Sequence, residues 1–132
     1  MIVDDAADQL QLMRLVFKMI DAELRVSTAQ SGGEALSALR GDPGARPGVM
    51  LLDLRMPGKD GLDVLKEMKS DPHLKRIPVC VFSNGDVPKD VCDSYEFGAS
   101  FYFKKPLGIE ALKKFAEQFR WLWFVLASRC GD

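Results

Sequence analysis

Histidine and cysteine are scarce in this 132-residue chain, one of the first and three of the second. Cys80, Cys92 and Cys130 are odd in number, widely spaced and free of any C-x-x-C pair, which excludes a zinc site and a secreted disulfide framework. His73 stands in the polar stretch Ser70-Asp71-Pro72-His73-Leu74-Lys75 and reads as a surface residue, neither ligand nor phosphodonor. Charge of one sign is missing too: 18 basic against 19 acidic residues leave a net charge of -1, so the overall balance calls for no nucleic acid and no membrane as partner. No apolar run approaches the length of a membrane span, and Met1-Ile2-Val3-Asp4-Asp5 has neither the basic nor the apolar region of a leader. A cytoplasmic location is therefore expected. Repeats and low-complexity linkers are also lacking.

The chain does have enough apolar residues, 47%, for one domain over residues 1–132 with its own core. Val49-Met50-Leu51-Leu52 and Val79-Cys80-Val81-Phe82 lack the alternation of half-exposed strands and read as central strands of a parallel sheet covered on both faces. Between strand candidates lie helical stripes: Leu12, Met13, Val16, Phe17 and Ile20; Ala35, Leu36 and Leu39; Leu62, Leu65 and Met68. Ser31 reads as a helix cap, Asp71-Pro72 as a helix stop and Gly41-Asp42-Pro43-Gly44 as a loop. The pattern predicts five β/α units, with strands near 1–3, 24–29, 48–52, 78–82 and 100–103 and helices near 6–20, 32–40, 61–69, 88–97 and 108–128. That is a doubly wound α/β fold, whose ligand site lies outside the carboxyl ends of the strands.

Asp4-Asp5, Asp53, Ser83 and Lys104-Lys105-Pro106 occupy those ends. Three carboxylates in one crevice repel by on the order of a few kcal/mol per close pair and call for a cation. Oxygen ligands with room left for water and phosphate oxygens suit Mg2+ better than calcium. A lysine and a hydroxyl at the same rim supply the charge and hydrogen bond that a phosphoryl group needs. Each residue also has a plainer reading. An aspartate at a strand end is more often a turn or cap residue, Asp4-Asp5 could cap the first helix, Ser83 could cap a turn, and Lys104 reads as a solvated loop charge. Only the convergence favours a phosphoryl-transfer site.

Asp4-Asp5, Asp53-Leu54-Arg55-Met56-Pro57-Gly58-Lys59-Asp60-Gly61, Ser83 and Gly98-Ala99-Ser100-Phe101-Tyr102-Phe103-Lys104-Lys105-Pro106 together resemble the two-component response-regulator receiver domain. Each motif alone is weak; four in order across essentially the whole chain are hard to obtain by chance. The resemblance implies a flavodoxin-like sheet of strand order 2-1-3-4-5 with helices on both faces. It implies that Asp53 accepts a phosphoryl group from a phosphohistidine of a sensor histidine kinase or phosphotransfer protein. Asp4, Asp5, Asp53 and the Arg55 carbonyl would be the Mg2+ ligands, Asp4 through water. Ser83 and Lys105 would hold the phosphoryl oxygens, Tyr102 would be the switch aromatic, and the Lys105-Pro106 bond would be cis. Activation would be a population shift of the face made by helix 4, strand 5 and helix 5. The stretch from Asp71 to Val79, Ser94 to Ala99 and the aromatic final helix are similar, less specifically, to the single-domain regulators found beside bacterial phytochromes.

Three features depart from the family pattern. Only three residues precede Asp4, which bears on stability more than on chemistry and leaves open a longer native amino terminus. Arg55 falls at a variable position that bears on phosphoryl hydrolysis, and Asn84, bulkier than the usual small residue, narrows access. Arg55 also stands where an aspartyl-phosphate hydrolase has its acid–base aspartate, so no enzyme of that kind is expected. Asp4-Asp5 would repel the phosphate of a flavodoxin-type cofactor. The remaining alternative is a phosphorylation-independent interaction module, against which the complete acidic cluster and Lys105 count. In the last helix, Leu112, Phe115, Ala116, Phe119, Leu122, Trp123 and Leu126 make the core stripe, while Trp121, Phe124 and Val125 fall off it. With Phe101 and Phe103 they form an apolar excess that marks a homodimer or docking face.

Overall fold

The computed structural model describes residues 1–85 and 87–130, with side chains of the last helix described as far as 125. Five parallel strands form one sheet of order β2-β1-β3-β4-β5: β1 (Ile2–Val3), β2 (Thr28–Ala29), β3 (Met50–Asp53), β4 (Val79–Ser83) and β5 (Phe101–Lys104). Helices α1 (Ala7–Ile20), α2 (Gly32–Gly41), α3 (Gly61–Ser70), α4 (Pro88–Glu96) and α5 (Ile109–Cys130) alternate with them. The predicted α/β order and strand sequence are those observed. The side chains of Cys130 and of Leu126, the last residue of the expected core stripe, lie outside the described residues.

Strand side chains alternate between two apolar layers because successive residues point to opposite faces. Met50, Leu52, Val79 and Val81 pack with Leu36, Leu39, Leu65 and Met68 of α2 and α3. Leu51, Cys80 and Phe82 pack on the other face with Met13, Phe17, Leu112 and Phe119 of α1 and α5. Each such side chain, fully buried, contributes about 1.5–3 kcal/mol. β3 and β4 are buried along their whole length, which explains their uninterrupted apolar runs.

Local chemistry sets the helix starts. Ser31 caps α2 by accepting from the Glu34 N–H at 3.0 Å, as expected. Asp60 and Asp63 form a reciprocal capping box on α3. α1 starts at Ala6 without a side-chain cap, although Asp4 Oδ1 accepts from the Ala6 N–H at 3.0 Å. α4 has Pro88 in its first turn and no side-chain cap at all.

Two elements differ from the sequence reading. β2 spans only Thr28–Ala29, because β1 is two residues long and offers partners only at Ile2 and Val3. Leu24 and Val26 still pack half-buried on the core, which is the apolarity the sequence displays there. The loop after α2 contains a 3-10 turn, Pro43–Ala45, capped by the Asp42 side chain. At the head of β1 the Met1 amino group is buried and donates to the Val49 carbonyl at 3.0 Å; burial pushes this amine down to about 5.

Gly61 positions the site directly. A Cβ there would lie 2.4 Å from the Asp53 carbonyl oxygen and 2.8 Å from Leu54 Cα, both backbone atoms that cannot swing aside. Gly61→Ala is therefore expected to destabilise the fold by about 3 kcal/mol, measured by urea denaturation, whereas Gly33→Ala, which meets nothing within 4 Å, should not.

Candidate functional site

The carboxyl ends of β1, β3 and β5 bring Asp4, Asp53 and Lys105 together. Lys105 Nζ lies 3.1 Å from Asp4 Oδ2 and 3.1 Å from Asp53 Oδ2, all three side chains nearly buried. The lysine stem crosses β4 with its ammonium 5.0 Å from the centre of the Phe82 ring. Asp5 is exposed, yet it can offer an oxygen within 4.8 Å of oxygens from Asp4 and Asp53. One ammonium against three carboxylates leaves excess negative charge at the crevice.

Burial pushes the Asp53 carboxyl up to about 6 from 3.8. Lys105 opposes this by charge and hydrogen bond, Asp4 reinforces it, and the Arg55 N–H, 3.4 Å from Asp53 Oδ1, opposes it weakly. For Lys105, burial favours the neutral amine, but Asp53 and Asp4 outweigh it and hold the ammonium above its usual range. The donor set fits a hard divalent cation: carboxylate oxygens from three strand-end aspartates, with the Lys105 charge insufficient to neutralise them.

The other predicted residues take distinct places. Ser83 is buried at the end of β4, its Oγ 3.5 Å from the Gly85 N–H of its own loop, and its carbonyl accepts from the Lys105 N–H at 2.7 Å. Tyr102 is half-buried and its hydroxyl donates to the Gly85 carbonyl at 2.7 Å, so β5 is tied to the segment that follows Ser83. Asn84 is exposed, and so are Lys104 and His73. The Lys105-Pro106 bond is not cis: every described peptide bond is trans, the form an X-Pro bond favours by about 0.5–1 kcal/mol. Lys105 reaches both carboxylates with that bond trans.

One site neighbour was not singled out in the sequence. Asp90 in α4 is buried and accepts from Arg55 Nη2 on both of its oxygens at 2.6 Å. An acid in the first turn of a helix is so ordinary that only its burial marks it. A separate cavity of about 580 Å³ opens at the opposite end of the sheet, among residues such as Phe17, Leu24, Val49 and Trp123, and shares no residue with the carboxylate cluster.

On α5, Leu112, Ala116 and Phe119 are buried and Phe115, Leu122 and Trp123 pack against them. Trp121 and Phe124 are 70% and 67% exposed. Phe101 and Phe103 are half-buried, stacked at 6.0 Å, with Phe103 edge-on to Phe115 and Phe119. Among the described residues no helix is long and apolar enough to cross a membrane.

Known proteins resemble this chain in sequence and fold. The family model for the response regulator receiver domain matches residues 1–117. Response regulator Rcp1 of Synechocystis is 32% identical over 127 residues, covering 93% of this chain and 86% of that protein. The crystal structure of the phosphorylated cyanobacterial phytochrome response regulator RcpA superposes with a TM-score of 0.85 at 33% identity, covering 93% of this chain and 91% of that one. The Mn2+-bound form of Rcp1 superposes with a TM-score of 0.82 at 32% identity, covering 92% and 91%.

The raised Asp53 carboxyl has a consequence for stability. Its folded value lies above its unfolded one, so the folded state binds the proton more tightly and loses stability as pH rises from about 4 to about 6. In metal-free buffer at pH 7.5, Asp53→Asn should be about 1–2 kcal/mol more stable than the parent in urea denaturation, and this advantage should vanish below pH 4. A variant less stable than the parent at pH 7.5 would contradict the burial cost.

Proposed function

The chain belongs to the response regulator receiver domain family, and on that premise we propose that it is a phosphoacceptor switch of two-component signalling, carrying its phosphoryl group on Asp53. The observation that carries this reading is Asp53 at the end of β3 with Lys105 Nζ 3.1 Å away and the carboxylates of Asp4 and Asp5 beside it. The donor is a phosphohistidine of a sensor histidine kinase or phosphotransfer protein. Similarity to the phytochrome response regulator RcpA favours a kinase of the phytochrome class, and a cytoplasmic setting goes with it.

In the transfer, an Asp53 oxygen forms a bond to phosphorus as the bond between phosphorus and the imidazole nitrogen breaks. Lys105, already against that oxygen, offsets the charge on the phosphoryl group. The Ser83 hydroxyl, exchanging its long contact with Gly85 for a phosphoryl oxygen, supplies a hydrogen bond. Asp4, Asp5, Asp53 and the Arg55 carbonyl would hold Mg2+, with Asp4 acting through water. When bound, the ion neutralises carboxylate and phosphoryl oxygens that would otherwise repel. Because Tyr102 is hydrogen-bonded to Gly85, a shift of Ser83 moves the contact between the loop and β5, and the face made by α4, β5 and α5 changes its population.

The apolar end of α5 serves as the face for a second copy, with Trp121 and Phe124 as anchors and Phe101 and Phe103 as the partly covered margin. Trp121→Glu with Phe124→Glu should convert a dimer into a monomer in sedimentation, without loss of the phosphoryl acceptor.

The central test is intact mass after incubation with a small acyl phosphate, with and without magnesium. The parent should gain one phosphoryl group only with magnesium, and Asp53→Asn should gain none. No gain in the parent under any condition would leave the phosphorylation-independent interaction module as the reading.

A further inference from the structure

α4 is anchored differently from the other helices. Its buried residues, Asp90 and Ser94, are both polar, whereas α1 buries Leu10, Met13, Val16 and Phe17. Ser94 is spent within the helix, donating to the Asp90 carbonyl at 2.7 Å. The first turn has no side-chain cap, so the Asp90 carboxylate is its polar fastening to the rest of the protein. The Asp90 side chain is 9% exposed, and both hydrogen bonds described for its carboxylate come from Arg55 Nη2 at 2.6 Å. A desolvated carboxylate needs its cation, since removing the partner leaves an uncompensated buried charge.

Arg55 is not held with equal force. Its side chain is 63% exposed, and its own N–H lies 3.4 Å from Asp53 Oδ1. The guanidinium therefore projects from the backbone that also borders the acceptor. A phosphoryl group on Asp53 carries nearly two charges and three acceptor oxygens, and guanidinium pairs with phosphate in the same forked geometry that it uses on a carboxylate.

We infer that the Arg55–Asp90 ion pair is a latch holding the first turn of α4 to the loop after β3, and that phosphorylation of Asp53 opens it by drawing Arg55 onto the phosphoryl group. The inference rests on the reading of Asp53 as phosphoacceptor and adds a second route to α4, independent of Ser83 and Tyr102. Once Arg55 leaves, Asp90 is buried without a cation, and the turn rotates to return the carboxylate to water. Coupling of this kind is reciprocal: whatever opens the latch and leaves Arg55 in place must strengthen phosphoryl binding by the same factor.

The test uses the whole chain with Mg2+ and beryllofluoride, a phosphoryl mimic. Fluorine NMR reads bound fluoride, and hydrogen exchange reads residues 87–96. In the parent, bound fluoride should accompany faster exchange across that segment. Asp90→Asn, which breaks the pair but leaves Arg55 free, should exchange fast before the mimic is added and bind it about fivefold more tightly or better. Arg55→Ala should also exchange fast, gain nothing further from the mimic and bind it no more tightly than the parent. Its exposed side chain keeps this comparison usable should Asp90→Asn fold poorly. The charge-swapped pair Arg55→Asp with Asp90→Arg should restore slow exchange that the mimic does not release.

Unchanged exchange in the parent with fluoride visibly bound, or equal affinity in Asp90→Asn and the parent, would overturn the latch. Absence of bound fluoride in the parent, together with no phosphoryl gain by mass, would overturn the phosphoacceptor reading and remove the trigger with it. The mass measurement separates that failure from the first.

Discussion

Lys105, held between Asp4 and Asp53, is the contact on which the arrangement of the site depends. Without an ammonium there, two nearly buried carboxylates would face each other across the ends of β1 and β3 with nothing to offset their charge. The lysine does not come from a strand next to β3, because β4 lies between β3 and β5. Its stem has to cross β4, and it does so over the Phe82 ring. A flat apolar side chain one residue before Ser83 is thus part of the site, although it touches no reacting group.

That concentration of charge is unfavourable in isolation, as the raised Asp53 carboxyl records. The fold tolerates it because β3 and β4, which flank the site, are buried from end to end and packed on both faces. Rigidity and strain therefore meet at one edge. The apolar layers fix the strand ends, and the strand ends hold together charges that would otherwise separate. A bound cation or an added phosphoryl group acts on a site already under electrostatic tension, so a local change of charge has free energy available to move its surroundings.

Much of this was legible in the sequence, for identifiable reasons. Uninterrupted apolar runs exposed β3 and β4, and the polar residue ending each run marked the rim where a doubly wound sheet places its ligand. The resemblance to receiver domains supplied strand order, which periodicity alone does not contain. Where reading failed, the cause was tertiary. Apolarity overstates the length of β2, because Leu24 and Val26 are apolar for packing rather than for pairing, and the extent of pairing is set by the two residues of β1. The Lys105-Pro106 bond was expected cis and is trans, since one sequence is compatible with both. Tyr102 was identified, but its acceptor is a backbone carbonyl, which has no sequence signature. Asp90 was passed over because an acid in a first helical turn is unremarkable until its burial is known.

The manner in which each helix is held decides which one can move. A helix fastened by several buried aliphatic side chains shifts only if a packed layer is rebuilt, and close-packed interiors resist that. α1 is of this kind, and so is α5 over Leu112, Ala116 and Phe119. α4 buries only polar residues, lies along the sheet edge formed by β5, and starts beside the loop that follows Ser83. Its position is then set by charge and hydrogen bonding, the same quantities that a phosphoryl group alters. A switch needs an element whose two positions differ by no more than a ligand can supply, and among the described helices α4 meets that condition because its attachment is electrostatic.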